Sequence, residues 1–174
     1  MTRLTLRTKR FDPRRNLPSY LSRNSIECKF QNAFEQAYLA FPERPVVIAR
    51  EFPLHLYGIA DLVCYDERCV KLKLTAFEFK IAGWRSAFQQ AYRYSYYADR
   101  SIVVVPPEIA KRAFEQIEIF RLASIGLWSF DAKTKTIRKL YSPKGLPKSS
   151  SARLKAESII SENLGFIKLG HANK

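Results

Sequence analysis

The stretch over residues 70–81 constrains this chain more than any other. Val70, Leu72, Leu74 and Ala76 alternate with Lys71, Lys73 and Thr75, the period of a strand with one face in a core. After Ala76 the pattern inverts. Phe77, Phe79 and Ile81 are apolar, while Glu78 and Lys80 continue the face that Leu74 and Ala76 began. Opposite charges two residues apart on an apolar strand face must pair with each other or bind an ion, because their desolvation is otherwise uncompensated. A Glu–Lys pair on a sheet surface meets that demand, and the tripeptide is common; the distinction depends on what the rest of the chain brings beside it.

The surrounding periodicities predict that framework. Ile26, Phe30, Ala33, Phe34, Ala37 and Ala40 form one apolar stripe, predicting a helix from about residue 24 to before Pro42, with Asn24 and Glu27 spaced as a capping box. Val46-Val47-Ile48-Ala49 and residues 57–65 read as two strands, and a turn at 66–68 leads into the third, so three consecutive strands form an antiparallel meander. A helix over residues 84–98 places Trp84, Ala87, Phe88, Ala91, Ser95 and Ala98 on one face. Ile102-Val103-Val104-Val105 is a buried strand stopped by Pro106-Pro107. A helix over 108–122 and a strand pair at 126–130 and 136–141 complete the set. The strand–helix–strand step implies parallel pairing, so the fold class is α/β: a mixed sheet flanked by helices. One domain over residues 24–142 is expected, with a basic arm at 1–23 and a Ser-, Lys- and Pro-rich loop and tail at 143–174.

Charge narrows the partner. The chain has 30 Lys and Arg against 16 Asp and Glu, a formal net charge of +14. Such an excess points to a polyanion, nucleic acid before an anionic membrane surface. The arm carries seven Lys and Arg, Arg10, Arg14 and Arg15 among them, against the single acid Asp12. Residues 132–155 carry Lys133, Lys135, Arg138, Lys139, Lys144, Lys148, Arg153 and Lys155 with no acid, so the two segments suit the walls of a phosphate track. A hydrophobic content of 47% excludes global disorder. Cys28, Cys64 and Cys69 form no CxxC pair, which excludes zinc-ligand spacing and fits free thiols in a reducing compartment. The N-terminal segment lacks the apolar stretch of a signal peptide and no apolar run has bilayer length, so a soluble, cytoplasmic protein without a membrane partner is expected.

Asp61 sits in Gly58-Ile59-Ala60-Asp61-Leu62-Val63, and sixteen residues separate it from Glu78-Phe79-Lys80. This set, with the helix before it and the helix and Val-rich strand after it, resembles the PD-(D/E)xK (restriction-endonuclease-like) nuclease superfamily over roughly residues 24–141; Ala60 stands where the motif has Pro. The resemblance implies an αβββαβ core and Mg²⁺- (or Mn²⁺-) dependent hydrolysis of DNA phosphodiester bonds, structure- or end-specific rather than sequence-specific. It implies metal ligation by Asp61, Glu78 and the Phe79 carbonyl, with Lys80 positioning water or stabilising charge on the phosphate. Members often add a Glu from the first helix. Glu27, on the shoulder of the stripe, suits this better than Glu35, which projects away, and the capping box is its competing role. Glu51 faces the site or the surface. Gln90 and Tyr94 resemble the Gln-x-x-x-Tyr motif of the exonuclease-related branch, which would hold nucleic acid or the catalytic Lys, whereas Tyr92, Tyr96 and Tyr97 serve stacking or packing. The alternative on the same fold is a catalytically silent DNA-binding subunit of a recombination or mobile-element complex, and a homodimer would suit cleavage of both strands. A tight turn centred on Glu67–Arg68 places Asp61 opposite Leu74, so contact with Glu78 requires a longer connection, a bulge or diagonal reach.

Overall fold

The computed structural model describes residues 9–11, 25–40, 47–66 and 73–164. Seven strands form one sheet in chain order: β1 (Lys9–Phe11), β2 (Val47–Leu54), β3 (Gly58–Asp66), β4 (Lys73–Phe79), β5 (Arg100–Val105), β6 (Gly126–Asp131) and β7 (Thr136–Tyr141). β2, β3 and β4 are the expected antiparallel meander. β4, β5 and β6 run parallel, joined by α2 (Trp84–Tyr94) and then by α3 (Pro107–Phe114) and α4 (Ile117–Ala123), and β7 returns antiparallel. The sheet is therefore mixed and the class α/β. β5 is buried on both faces, which is why its sequence is a continuous apolar run rather than an alternating one.

Helices cover both faces. On one, Phe30 and Phe34 of α1 (Ile26–Leu39) pack on Leu62, Phe77, Phe79, Val104 and Phe130. On the other, Ala87 and Ala91 of α2 pack on Val103, and Tyr94 and Tyr97 pack with Ala60, Val63 and Ala76. The small residues of α2 let it approach closely, and Ser101 Oγ bonds the Ala91 carbonyl across the contact.

Four expectations need correction. The basic arm is not wholly an arm, because Lys9–Phe11 pairs parallel with β2 and sets Arg10 opposite Ile48; Arg14 and Arg15 lie outside the described residues. The helix expected over 108–122 is two, interrupted at Glu115 and Gln116. The buried face of α1 is also turned from the expected stripe. Ile26 is 72% exposed, whereas Gln31 and Glu35 are buried, Glu35 in an ion pair of 2.6 Å with Arg50. Finally, the expected C-terminal loop and tail contain α5 (Ser150–Leu164), whose Ala152, Ala156 and Ile160 enter the core beside Tyr97 and Ala98. Arg153 leaves the set of phosphate-facing residues: it is buried, with Nη1 2.6 Å from Asp99 Oδ2 and 3.3 Å from the Tyr97 carbonyl oxygen.

Because α5 is part of the core, a charge at Ala156, which has no exposed surface, should unfold the protein more readily. Ala156→Asp is expected to cost about 2–4 kcal/mol in urea denaturation, against less than about 0.5 kcal/mol for the exposed Lys155→Asp. Equal midpoints for the two variants would mean that α5 does not contribute to the folded unit.

Candidate functional site

The interval between the end of β3 and the start of β4 is six residues long. Its length sets a register of Asp66↔Lys73 through Leu62↔Phe77, which brings Asp61 into line with Glu78 and not with Leu74. Just there the ladder stops. The Phe79 N–H donates instead to Asp61 Oδ2 at 2.8 Å, so the carboxylate satisfies a backbone donor that the neighbouring strand has ceased to serve. β3 and β4 fork at this point, and the fork is the mouth of the site.

The opposite side of β3 breaks at the same level. Ala49 and Phe52 enter the same core, as do Ala60 and Val63, although odd spacing along a strand should place them on opposite faces. The reversal falls between them, at Glu51 and at Asp61, where the β2–β3 register skips from Arg50↔Leu62 to Phe52↔Ala60. Glu51 has a φ of 50°, a left-handed conformation that costs a non-glycine residue on the order of 1–3 kcal/mol. Gln31 of α1 fixes the kink from the other side, donating from Nε2 to the Asp61 carbonyl oxygen at 2.8 Å. Sequence reasoning gave Gln31 no role, because nothing in its spacing marks a partner across the core.

Glu78 continues the Leu74–Ala76 face, as the inverted alternation requires, and has no exposed surface. Tyr94 Oη lies 2.7 Å from its Oε2 and 2.6 Å from the Ile59 carbonyl oxygen. A hydroxyl has one hydrogen, so it can donate to only one of them. Both contacts are satisfied when Glu78 is protonated: the carboxylic acid donates to Tyr94 and Tyr94 donates to Ile59. Burial first, and the Asp61 carboxylate second, push the Glu78 pKa up to about 8, which agrees with that arrangement near neutrality. Its other oxygen, Oε1, is buried without a hydrogen-bond partner, 3.6 Å from Lys80 Nζ. Burial likewise raises Asp61 to about 6 against the opposing pull of the Phe79 N–H and the Lys80 ammonium, with the Glu27 and Glu51 carboxylates adding to the rise.

Lys80 closes the cluster. Its N–H donates to the Val104 carbonyl at 3.2 Å, which anchors the backbone, and Nζ lies 3.3 Å from Glu27 Oε1. Burial works against the ammonium, but Glu78, Glu27 and Asp61 outweigh it and hold Lys80 above its ordinary pKa. Glu27 reaches the site because Ser25, accepting from the Cys28 N–H at 3.0 Å, is the N-cap, and because α1 turns its 27–31–34–35 edge toward the sheet. Asp61, Glu78, Lys80 and Glu27 thus come together from β3, β4, the residue after β4, and α1. Glu51 lies near enough for its carboxylate to raise Asp61. Tyr94, 1% exposed, holds Glu78 rather than nucleic acid or Lys80, and Gln90 lies half-buried one turn earlier on α2.

Comparison of the chain with protein-family models, with curated proteins and with solved structures finds no match. The chemistry of the site must therefore be argued from its own geometry. One oxygen of Asp61 accepts from the Phe79 N–H, one oxygen of Glu78 contacts the Tyr94 hydroxyl, and the other oxygen of Glu78 lies 3.6 Å from the Lys80 ammonium. Among the described residues no three His, Cys, Asp or Glu side chains form a group that could by itself hold a metal ion.

The raised acids have a consequence for stability. Between the ordinary glutamate value of 4.5 and about 8 the native Glu78 keeps a proton that the unfolded chain has lost, so stability falls as pH rises through that window. Glu78→Gln should flatten this slope, and at pH 8.5 the variant should be the more stable by a few kcal/mol, as read from thermal melts in EDTA across about pH 5–8.5. A variant that keeps the wild-type slope would mean that Glu78 is not the buried acid responsible.

Proposed function

We propose that this protein is a divalent-metal-dependent nuclease of the restriction-endonuclease-like type that hydrolyses DNA phosphodiester bonds. The observation that carries this reading is the buried Oε1 of Glu78 at the fork with Asp61, which has no hydrogen bond and only an ion pair of 3.6 Å with the Lys80 ammonium. A buried carboxylate oxygen without a hydrogen bond is costly, and a cation bound there would offset that cost. The order α1–β2–β3–β4–α2–β5 also matches the αβββαβ core that such nucleases share, and the net charge of +14 suits a nucleic-acid substrate.

In this reading Asp61 and Glu78, with the Phe79 carbonyl, hold Mg²⁺ or Mn²⁺. The bound ion supplies Lewis acidity to the scissile phosphate and acidity to water. The chain's own residues do the rest. The Phe79 N–H fixes the Asp61 carboxylate, Gln31 fixes the backbone carbonyl of the same residue, and Tyr94 fixes Glu78. Lys80 places a cation where charge gathers on phosphate oxygens, a contribution that a low-dielectric setting strengthens. Glu27, in contact with Lys80, keeps that ammonium protonated and orients it; once phosphate arrives, its carboxylate is placed to take a proton from water.

Cleavage of duplex, single-stranded, flap and four-way-junction DNA in Mg²⁺ and in Mn²⁺ tests this directly. Wild type is expected to cleave at least one of them. Lys80→Ala and Glu78→Ala should each lower the rate by at least about a hundredfold while changing DNA affinity less than about threefold. Tight, salt-sensitive binding without cleavage by any form would replace the nuclease with the silent DNA-binding subunit.

A further inference from the structure

A cleft of about 520 Å³ opens beside this cluster, and nothing argued so far uses it. Its walls come from the carboxyl ends of all three parallel strands: Ile81 just after β4, Pro106 just after β5, and Asp131 at the end of β6. Parallel α/β sheets bind ligands at that end, where crossover connections leave a crevice. Phe30 and Phe130 close the base, and Ile26 on α1 forms part of the rim. None of the cluster residues lines the cleft, but two lining residues are their neighbours in the chain: Ile26 precedes Glu27 and Ile81 follows Lys80. Its volume falls within the roughly 300–1,000 Å³ of clefts that take small organic groups.

Charge decides what kind of group. Lys29 and Lys133 face the cleft, but so do Glu108 and Asp131, two of each sign. In a chain of net charge +14 this cleft holds no net attraction for phosphate. It offers apolar walls with donors and acceptors around the edge, which is the complement of a nucleobase: two apolar faces and a polar rim. The exposed Ile26, on a helix whose other large apolar residues face the sheet, has no packing role and lies where such a base would enter. We infer that the cleft is a nucleobase subsite, taking an unstacked base from the nucleotide next to the scissile phosphate. The inference rests on the nuclease reading above and names its substrate more closely: DNA with an unpaired nucleotide at the point of cleavage.

The test uses the full chain and a fluorescein-labelled single-stranded oligonucleotide, with binding read by anisotropy in Ca²⁺ and cleavage read in Mg²⁺ and Mn²⁺. A set of the same oligonucleotide, each lacking one base near the cleavage position, locates the base that the cleft holds. Ala132→Trp, on the exposed β6–β7 turn, fills the cleft, and Ile26→Asp removes its apolar lip; circular dichroism checks that both fold. Loss of one particular base should weaken wild-type binding about tenfold or more, the effect of a single stacked base. Each variant should bind the intact oligonucleotide weaker by a similar factor and be indifferent to that base. If wild type cleaves but no base matters, or the same base matters equally in both variants, the cleft is not a base site and the nuclease reading stands alone. If wild type cleaves none of the substrates, the nuclease reading falls and the subsite falls with it.

Discussion

The fork between β3 and β4 is the constraint on which the rest of the structure depends. A sheet that ran on past Leu62 and Phe77 would pair Asp61 with Glu78 across a closed ladder and leave no opening between them. Parting the strands exposes backbone donors, and an unmet buried N–H costs about 1–3 kcal/mol. Asp61 meets this cost by accepting from Phe79, and so the residue that makes the opening tolerable is also the one that lines it. The kink at Glu51 and Asp61 belongs to the same event: it lets both halves of β2 and β3 bury their apolar residues on the α2 side while the strand changes direction. Glu78 then sits under the opening in an apolar layer, with Tyr94 as its one hydrogen-bond partner.

The helices divide the task of supporting that opening. α2 comes from below with small residues and sends up a single phenol. α1 comes from above with two phenylalanines for the sheet and, on the adjoining edge, a polar row: Glu27 to Lys80, Gln31 to the Asp61 carbonyl, and Glu35 to Arg50. These contacts at successive turns fix the rotation of α1 about its axis more narrowly than apolar packing alone would, since each has a directional partner. They also explain why Ile26 points outward: the helix is turned for its polar row, and the apolar residue at its start is left on the rim of the cleft.

What was legible in the sequence was whatever depended on local period. The strand and helix succession, the parallel step around α2 and the burial of Glu78 on the Leu74–Ala76 face all follow from alternation that can be read residue by residue. The alignment of Asp61 with Glu78 did not, because register depends on how many residues separate the two strands, and alternation alone does not fix where β3 ends and β4 begins. Gln31 has no role in the sequence reading, and Tyr94 is expected there to hold nucleic acid or Lys80, because the partner of a polar helix side chain across the core does not show in local period; in the fold they bond the Asp61 carbonyl and Glu78. α5 was hidden because alanines at four-residue intervals carry little hydrophobic signal between Ser, Lys and Arg, and its anchoring ion pair joins Arg153 to Asp99, far apart in sequence.

The protonation of Glu78 connects the architecture to its chemistry. In the native fold the buried acid has two ways to be comfortable: a proton that it can donate to Tyr94, or a positive charge at Oε1 stronger than a lysine 3.6 Å away. The two compete, because a cation at Oε1 favours the ionised form, and the Tyr94 hydroxyl must then turn from the Ile59 carbonyl to Oε2. Lys80 alone leaves Glu78 raised to about 8, so one ammonium, already shared with Glu27, is not enough to ionise it near neutrality. The strain at Glu51, the severed ladder and the unfilled oxygen all lie within this one small region, while the sheet around it is closely packed. Directional bonds from α1 and α2 hold this region in place: Glu27 at Lys80, Gln31 at the Asp61 carbonyl and Tyr94 at Glu78.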